Sequence, residues 1–279
     1  MTNIYPIITI VSKEPEKIGG ELPEEVFNYP FFNEGVSQAR THQKKKYNLD
    51  SIKIEETDKQ LELKGLIFHV SHCGSTLLSR MMGQLEKVKV VSETEAINGL
   101  LLSKLFYGLK DEVIINYLKK IVHLYQQEVP NQQYLILKLT SWNIYMIPLF
   151  KQAFPGVKWI FLDRETDALL ASLKRSDGGF IDWWEYPVDV LRKHFIEGGR
   201  VINNKDEYLK ELVRGHRRHA KTNIDDNGLF LQYPAFIAQY EEILHHFELN
   251  FPFHEVAQSK EILKYDSKSK ERVLWEKTK

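Results

Sequence analysis

The chain has 279 residues, with 38 Lys plus Arg against 38 Asp plus Glu, 43% apolar and 27% charged. That composition belongs to a globular protein of one large or two small domains, long enough to bury a full core without staples. Balanced charge gives no global field for nucleic acid or an anionic membrane, so any anion site is local, and a single cysteine, Cys73, excludes an internal disulfide and suits a reducing cytoplasm.

Residues 4–11 are apolar but too short to span a bilayer, and Pro6 interrupts them. No basic n-region or small-residue cleavage site follows, so no signal peptide and a cytoplasmic location are expected. Residues 1–63 read as an irregular, charge-rich extension packed on the core, punctuated by Gly19-Gly20, Pro23 and Pro30-Phe31-Phe32. The basic run over 38–47, with Lys44-Lys45-Lys46, reads as a solvated face or loop. Weak alternation in 51–63 fits a short hairpin leading into the first core strand.

From residue 64 to 279 the pattern is that of one domain. Short apolar runs at 66–70, 88–91, 134–139, 157–162 and 229–231 read as strands. Helical patterns at 76–84, 96–106, 113–125, 143–153 and 166–175 alternate with them, and 176–221 is a largely helical insertion before the last strand. Right-handed βαβ units follow, giving an α/β fold: three αβα layers around a central, mostly parallel sheet.

In such a sheet the site lies beyond the carboxyl ends of the strands. After the first strand come His72, Cys73, Gly74, Ser75 and Thr76; after the second, Ser92, Glu93, Thr94 and Glu95. After the third come Lys138, Thr140, Ser141 and Trp142; after the fourth, Asp163 and Arg164, with Ser172 eight residues past Arg164 on the next helix. The first βα unit is of the P-loop type: strand, turn of small residues, amphipathic helix. It presents Gly74-Ser75-Thr76 at a helix N-terminus, where free N–H groups and the macrodipole favour an anion and a glycine lets the backbone approach it. A cradle, a carboxylate and two cations suit transfer of an anionic group from a phosphate-bearing donor.

A nucleoside-triphosphate loop, G-x-x-x-x-G-K-[ST], needs a lysine after the glycine. Here Ser75 follows Gly74, His69 stands at the first glycine position, and Asp163 is the only candidate for a Mg²⁺-binding strand-end aspartate. Kinase and ATPase chemistry are disfavoured.

Together these residues resemble the P-loop sulfotransferases, especially the branch with the tyrosylprotein and heparan enzymes. That family's 5′-phosphosulfate loop, basic–Ser–Gly–Thr–Thr, is matched by His72-Cys73-Gly74-Ser75-Thr76. Its 3′-phosphate pair, an Arg and a Ser eight residues on, is matched by Arg164 and Ser172, and its strand-end lysine by Lys138. A catalytic Glu-Thr pair of the tyrosylprotein branch falls on Glu93-Thr94, and Leu231-Gln-Tyr-Pro234 is similar to a later family segment. The resemblance covers roughly residues 65–175. It implies 3′-phosphoadenosine 5′-phosphosulfate (PAPS) as co-substrate on Cys73–Thr76, Arg164 and Ser172, and no metal. Glu93 would be the base, with His72 and Lys138 stabilising the leaving oxygen. Two departures stand out: the family has Lys or Arg at His72, and its cytosolic branch has a base histidine where this chain runs Lys138-Leu-Thr140. Phosphates beside His72 are expected to raise its pKa.

Each residue also has a plainer reading. Gly74-Ser75-Thr76 and Glu93 could cap helices, Lys138 could snorkel, and Arg164 could pair with Asp163 or Glu165. Thr140-Ser141-Trp142 reads as an N-cap before a helix at Asn143, or as acceptor lining. His69 and His72-Cys73 could ligate a metal, though His69 in a buried strand reads better as a core histidine, and Cys73 could be a nucleophile. Trp183-Trp184-Glu-Tyr186-Pro187 is an aromatic loop over the site or a core anchor. Arg214-Gly-His-Arg-Arg-His219 is a solvated face or a phosphate contact, Tyr265-Asp-Ser-Lys268 a polar turn or a phosphate contact, and His245-His246 structural. Three functions remain: a sulfotransferase acting on a hydroxyl or amine of a small molecule or peptide, without nucleic-acid or membrane partners; a P-loop small-molecule kinase; or a catalytically silent nucleotide-binding protein.

Overall fold

In the computed structural model, residues 3–39, 46–52, 60–177, 179–185, 194–196 and 200–269 are described. The chain opens with strands β1 (Ile4–Ile10) and β2 (Glu16–Glu21), helix α1 (Phe32–Ala39) and strand β3 (Lys46–Asn48). Strand β4 (Glu62–His69), helix α2 (Ser75–Met82), strand β5 (Val88–Ser92) and helices α3 (Glu95–Tyr107) and α4 (Asp111–Tyr125) follow. Then come β6 (Tyr134–Lys138), α5 (Ile147–Ala153), β7 (Lys158–Arg164), α6 (Thr166–Lys174), α7 (Lys205–Thr222), β8 (Gly228–Tyr233), α8 (Tyr240–His246) and α9 (Phe253–Ser259).

The fold is α/β. Strands β4–β8 form a wholly parallel sheet in the order β5-β6-β4-β7-β8, flanked by helices. The apolar runs that marked these strands are buried on both faces, as a parallel sheet requires: Ile67, Phe68, Leu135, Ile136, Ile160, Phe161 and Leu162 are all sealed from solvent. The chain reverses direction across the sheet at β4, so the crevices beside its carboxyl end are the switch point where ligands bind. Register places the reactive ends on one edge, with Ser92 opposite Lys138 and Arg164 opposite Tyr233.

Three expectations are corrected. The described part of residues 1–63 is not irregular: β1, β2 and β3 form an antiparallel sheet, in which Ile4 pairs with Glu21 and Gly19 with Tyr47. This sheet packs on α3 and α4, where Thr9 Oγ1 donates to the Ala96 carbonyl at 2.7 Å and the Tyr125 hydroxyl to the Pro6 carbonyl at 2.8 Å. Tyr5, Leu22 and Phe32 share one core with Ile97 and Leu118. Lys89 is buried between the rings of Tyr5 and Phe27, 4.0 and 3.9 Å from their centroids. Burial pulls its pKa down to about 7 despite Glu24 at 3.6 Å. Second, Leu61–Lys64 is not the arm of a hairpin. Residues 62–64 open β4, and the Leu61 amide bonds Gln126. Residues 53–59 lie outside the described residues, as do 40–45 of the basic run. The helix expected over 143–153 opens as a 3₁₀ stretch, Ser141–Met146, and becomes α only where Pro148 fits the first turn. Among the described residues no helix is long and apolar enough to cross a membrane.

The seam between the small sheet and the core has little room. A Cβ on Gly99 of α3 would lie 2.0 Å from the Thr9 carbonyl oxygen, whereas one on Gly83 meets nothing nearer than 3.4 Å. Gly99→Ala is therefore expected to cost about 1–3 kcal/mol, read as a lower urea midpoint, with Gly83→Ala close to wild type. Equal midpoints for the two variants would contradict this packing.

Candidate active site

The turn after β4 is built to expose amides. Gly74 has φ 83°, and an added Cβ would strike the Tyr233 ring at 2.6 Å. It precedes α2 without a side-chain cap, which leaves the first amides of the helix to a ligand. Ser75 and Thr76 are buried behind the turn, and Thr76 Oγ1 accepts from Lys138 Nζ at 3.2 Å. The Cys73 thiol is sealed inside, donating to the Val70 carbonyl at 2.7 Å, and burial pushes its pKa up to about 12. It contributes its backbone to the turn; nucleophilic chemistry is closed to it.

Beside the turn, Lys138 and Glu93 form an ion pair across the ends of β6 and β5. The Lys138 side chain is wholly buried and that of Glu93 is 21% exposed. The Glu93 amide also donates to the Lys138 carbonyl at 2.8 Å. Burial pushes the Glu93 carboxyl up, but Lys138, and then His69 and Lys268, hold it below the usual carboxylate range. Glu93 has φ 53°, left-handed for a residue other than glycine. It does not cap α3; Thr94 does, accepting from the Ile97 amide.

The opposite wall carries Arg164 and Ser172. Arg164 Nη1 donates to the His72 carbonyl at 3.0 Å, and its guanidinium lies over the Tyr233 ring, 5.1 Å from the centroid. Ser172 Oγ meets His72 Nδ1 at 2.8 Å, and Ser176 Oγ meets Nε2 at 3.2 Å. His72, also left-handed at φ 60°, thus turns its ring toward the Arg164–Ser172 side and away from the Glu93–Lys138 pair. Its pKa is pushed down to about 4, by burial first and then by Lys268, Arg164, His69 and Arg175. At neutral pH the imidazole is therefore uncharged. A cavity of about 530 Å³, lined by His72, Gly74, Arg164, Ser172, Tyr233 and Lys268 among others, joins turn and wall, a volume that suits a nucleotide.

Asp163 is fully engaged: it takes Arg217 Nε and Nη2 at 2.8 and 3.0 Å and the Arg164 amide at 2.7 Å. Arg217 also donates to the Arg164 carbonyl at 2.8 Å, so the basic stretch of α7 is only partly a solvated face. Thr140 accepts from Asn98 Nδ2 at 2.9 Å instead of capping a helix. His69 faces the Val70 and Leu139 carbonyls at 2.9 Å each, as a core histidine would. Among the described residues no cluster of three His, Cys, Asp or Glu could hold a metal. Trp183 stacks on Phe195 at 5.4 Å in the core, while Tyr186 and Pro187 lie outside the described residues. His246 bonds the Trp159 and Asn227 carbonyls.

Sequence reasoning missed the contribution of the N-terminal segment. Phe31 lies under Lys138 Nζ at 4.8 Å, and Asn33 donates to the Glu93 carbonyl at 3.2 Å. Pro30-Phe31-Phe32 was visible as punctuation, but nothing local ties this segment to Glu93, and the Asn33 bond that does so spans 60 positions.

No family model matches the chain, and no curated protein matches it. Solved structures similar to it include a sulfotransferase from Alicyclobacillus acidocaldarius, at 11% identity over 68% of this chain and 82% of that one, with a TM-score of 0.46. The sulfotransferase domain of the Synechococcus PCC 7002 olefin synthase is 15% identical over 78% and 83%, with a TM-score of 0.47. A mouse sulfotransferase complexed with PAP is 14% identical over 76% and 66%, at 0.39. These neighbours are sulfotransferases, but likeness this low assigns no residue here; the site rests on its own geometry.

The neutral state of His72 has a thermodynamic consequence. A folded pKa of about 4 lies below the unfolded value of 6.5, so the folded state binds fewer protons. His194 and His216 are likewise pushed down to about 4, chiefly by burial. Their contribution is complete above pH ~6.5 and is lost as the pH falls toward ~4. Urea midpoints are expected to drop across that window, and His72→Gln to reduce the proton slope by up to about one. An unchanged slope would mean that His72 is not held neutral.

Proposed function

We propose that the protein is a sulfotransferase, moving a sulfuryl group from 3′-phosphoadenosine 5′-phosphosulfate to a hydroxyl or amine of a small molecule or peptide. One observation carries the proposal: a glycine-led amide cradle with no following lysine shares its cavity with Arg164 and Ser172, and Thr76 links it to Glu93–Lys138. A triphosphate would need a lysine at the turn and an acidic group free for Mg²⁺. Here Ser75 takes the first place, and Asp163 is neutralised by Arg217.

Cys73–Thr76 would receive the 5′-phosphosulfate on backbone amides, and Arg164 with Ser172 the 3′-phosphate, His72 giving up its hydrogen bond to that serine. Tyr233, which lines the cavity, packs against Gly74 and Arg164. Glu93 takes the proton from the acceptor as its oxygen or nitrogen bonds to sulfur. The bond from sulfur to the bridging oxygen breaks, and its electron pair stays on the 5′-phosphate of the departing bisphosphate. Lys138 serves both ends. In the free protein it keeps Glu93 ionised; with an anionic donor present its charge is shared, and Glu93 becomes the stronger base.

Glu93→Gln is expected to reduce turnover by two or more orders of magnitude while leaving 3′,5′-bisphosphate affinity within about threefold. Thermal shifts give the companion ranking, with greater stabilisation by the bisphosphate than by Mg²⁺·ATP. ATP ranking first would favour a kinase, and no response to either a silent relative. Full turnover in Glu93→Gln would remove Glu93 as the base.

A further inference from the structure

We propose that His69 is a positioning residue for the base: from the end of β4 it presents its Nε2–H toward the Glu93 carboxylate, so that Oε1 is held between Lys138 and His69 and Oε2 is the oxygen that takes the acceptor's proton. This rests on the sulfotransferase function above and adds to it which oxygen of Glu93 reacts and what fixes it.

His69 stands where a triphosphate loop has its first glycine, and its ring is sealed from solvent there. The ring nitrogens face three acceptors. Nδ1 lies 2.9 Å from the Val70 carbonyl; Nε2 lies 2.9 Å from the Leu139 carbonyl and 3.7 Å from Glu93 Oε1. A neutral imidazole carries one N–H, and the nitrogen that meets two acceptors, one of them charged, is where it belongs. With the proton on Nε2, the hydrogen bond goes to Leu139, and the positive end of the N–H stands beside the carboxylate. The two carbonyls are fixed by the sheet: the Val70 amide donates to the Leu162 carbonyl at 3.0 Å, and the Leu139 amide to the Ile67 carbonyl at 3.0 Å. The ring is therefore held by strand ends rather than by a loop, as a precise positioning group requires.

Both contacts on Glu93 fall on one oxygen. Lys138 Nζ donates to Oε1, and His69 Nε2 faces the same atom. Among the described residues no hydrogen bond reaches Oε2, and the Glu93 side chain is partly open to solvent. One oxygen is thus engaged below the turn and the other is left with free lone pairs, which a general base needs. The charged and titratable groups facing His69 are Glu93 after β5, Lys138 at the end of β6, His72 in the turn and His216 on α7. Glu93 is the anion of this set. Burial pulls the His69 pKa down, while Glu93 and the two carbonyls pull it up; His69 in return helps to hold the Glu93 carboxyl low.

NMR of the full chain, isotope-labelled at histidine and glutamate, tests this. At neutral pH His69 is expected as the Nε2–H tautomer; an Nδ1–H tautomer would turn a lone pair toward Glu93 and overturn the proposal. The midpoint of the Glu93 carboxyl is expected to rise by on the order of half a pH unit in His69→Leu, which has no donor, and by less in His69→Gln, whose amide restores one. An unmoved midpoint in His69→Leu, or equal shifts in the two variants, would make His69 a packing residue and overturn the proposal. Glu93→Gln gives the reciprocal reading with the histidine intact: the His69 midpoint is expected to fall, and an unmoved one would contradict the coupling. PAPS hydrolysis, with water standing in for the acceptor, is expected to slow about tenfold in His69→Leu while 3′,5′-bisphosphate affinity stays within about twofold. Equal losses of rate and affinity would mark a disturbed turn rather than a misplaced base, and would overturn the proposal. Failure of the wild-type chain to bind the bisphosphate at all would instead overturn the sulfotransferase function, with the His69–Glu93 coupling still read by NMR.

Discussion

A lysine ammonium sealed inside a parallel sheet has to be neutralised where it stands, and the carboxyl end of this sheet is organised around that need. Lys138 ends β6 with its side chain wholly buried, and an unpaired charge there would cost several kcal/mol. Ser92 stands opposite Lys138 in the register, so the next residue, Glu93, is the nearest one able to turn back over the strand end. It does so by adopting a left-handed conformation, bonded to Lys138 through both backbone and side chain. Backbone strain of this kind persists only where surrounding contacts fix it, and here Asn33 holds the Glu93 carbonyl from α1.

The pair also sets the charge balance of the cavity. Lys138 reaches Thr76 and so joins Glu93 to the turn, yet its charge is answered by that carboxylate. The turn adds amides and no side-chain cation of its own: Cys73 points inward and His72 is neutral. Fixed positive charge is left to the periphery, to Arg164 at the end of β7 and Lys268 beyond α9. A triphosphate loop concentrates its cation behind the glycine, whereas here the cations stand apart from the turn, along the walls of the cavity.

How much of this was legible in the sequence follows the range of the interactions involved. Sheet strands β4 to β7 and their helices announce themselves by local apolar period, and a parallel sheet must bring their ends to one edge; Glu93, Lys138, Arg164 and Ser172 were therefore visible as a set. The small antiparallel sheet was not. Pro6 breaks the pattern of β1, Gly19-Gly20 dilutes β2, and β3 has three residues, so its stability comes from packing on α3 and α4 rather than from propensity. The direction of the His72 ring was beyond reach for a different reason. It depends on a positive φ and on a serine 100 positions later. Arg217 and Phe31 were hidden in the same way, since each acts on a strand end contributed by a distant part of the chain.

The central claim is that this lysine-free turn, with Arg164 and Ser172, holds a nucleotide carrying anions at both its 3′ and 5′ positions. A crystal structure of the full chain with adenosine 3′,5′-bisphosphate is the most direct measurement of it. The expected result is the 5′-phosphate on the amides of residues 74–76 and the 3′-phosphate on the Arg164 guanidinium and Ser172 hydroxyl, with Glu93 and Lys138 facing the open 5′ end. A bisphosphate bound elsewhere, or one whose 3′-phosphate points away from Arg164 into solvent, would contradict it.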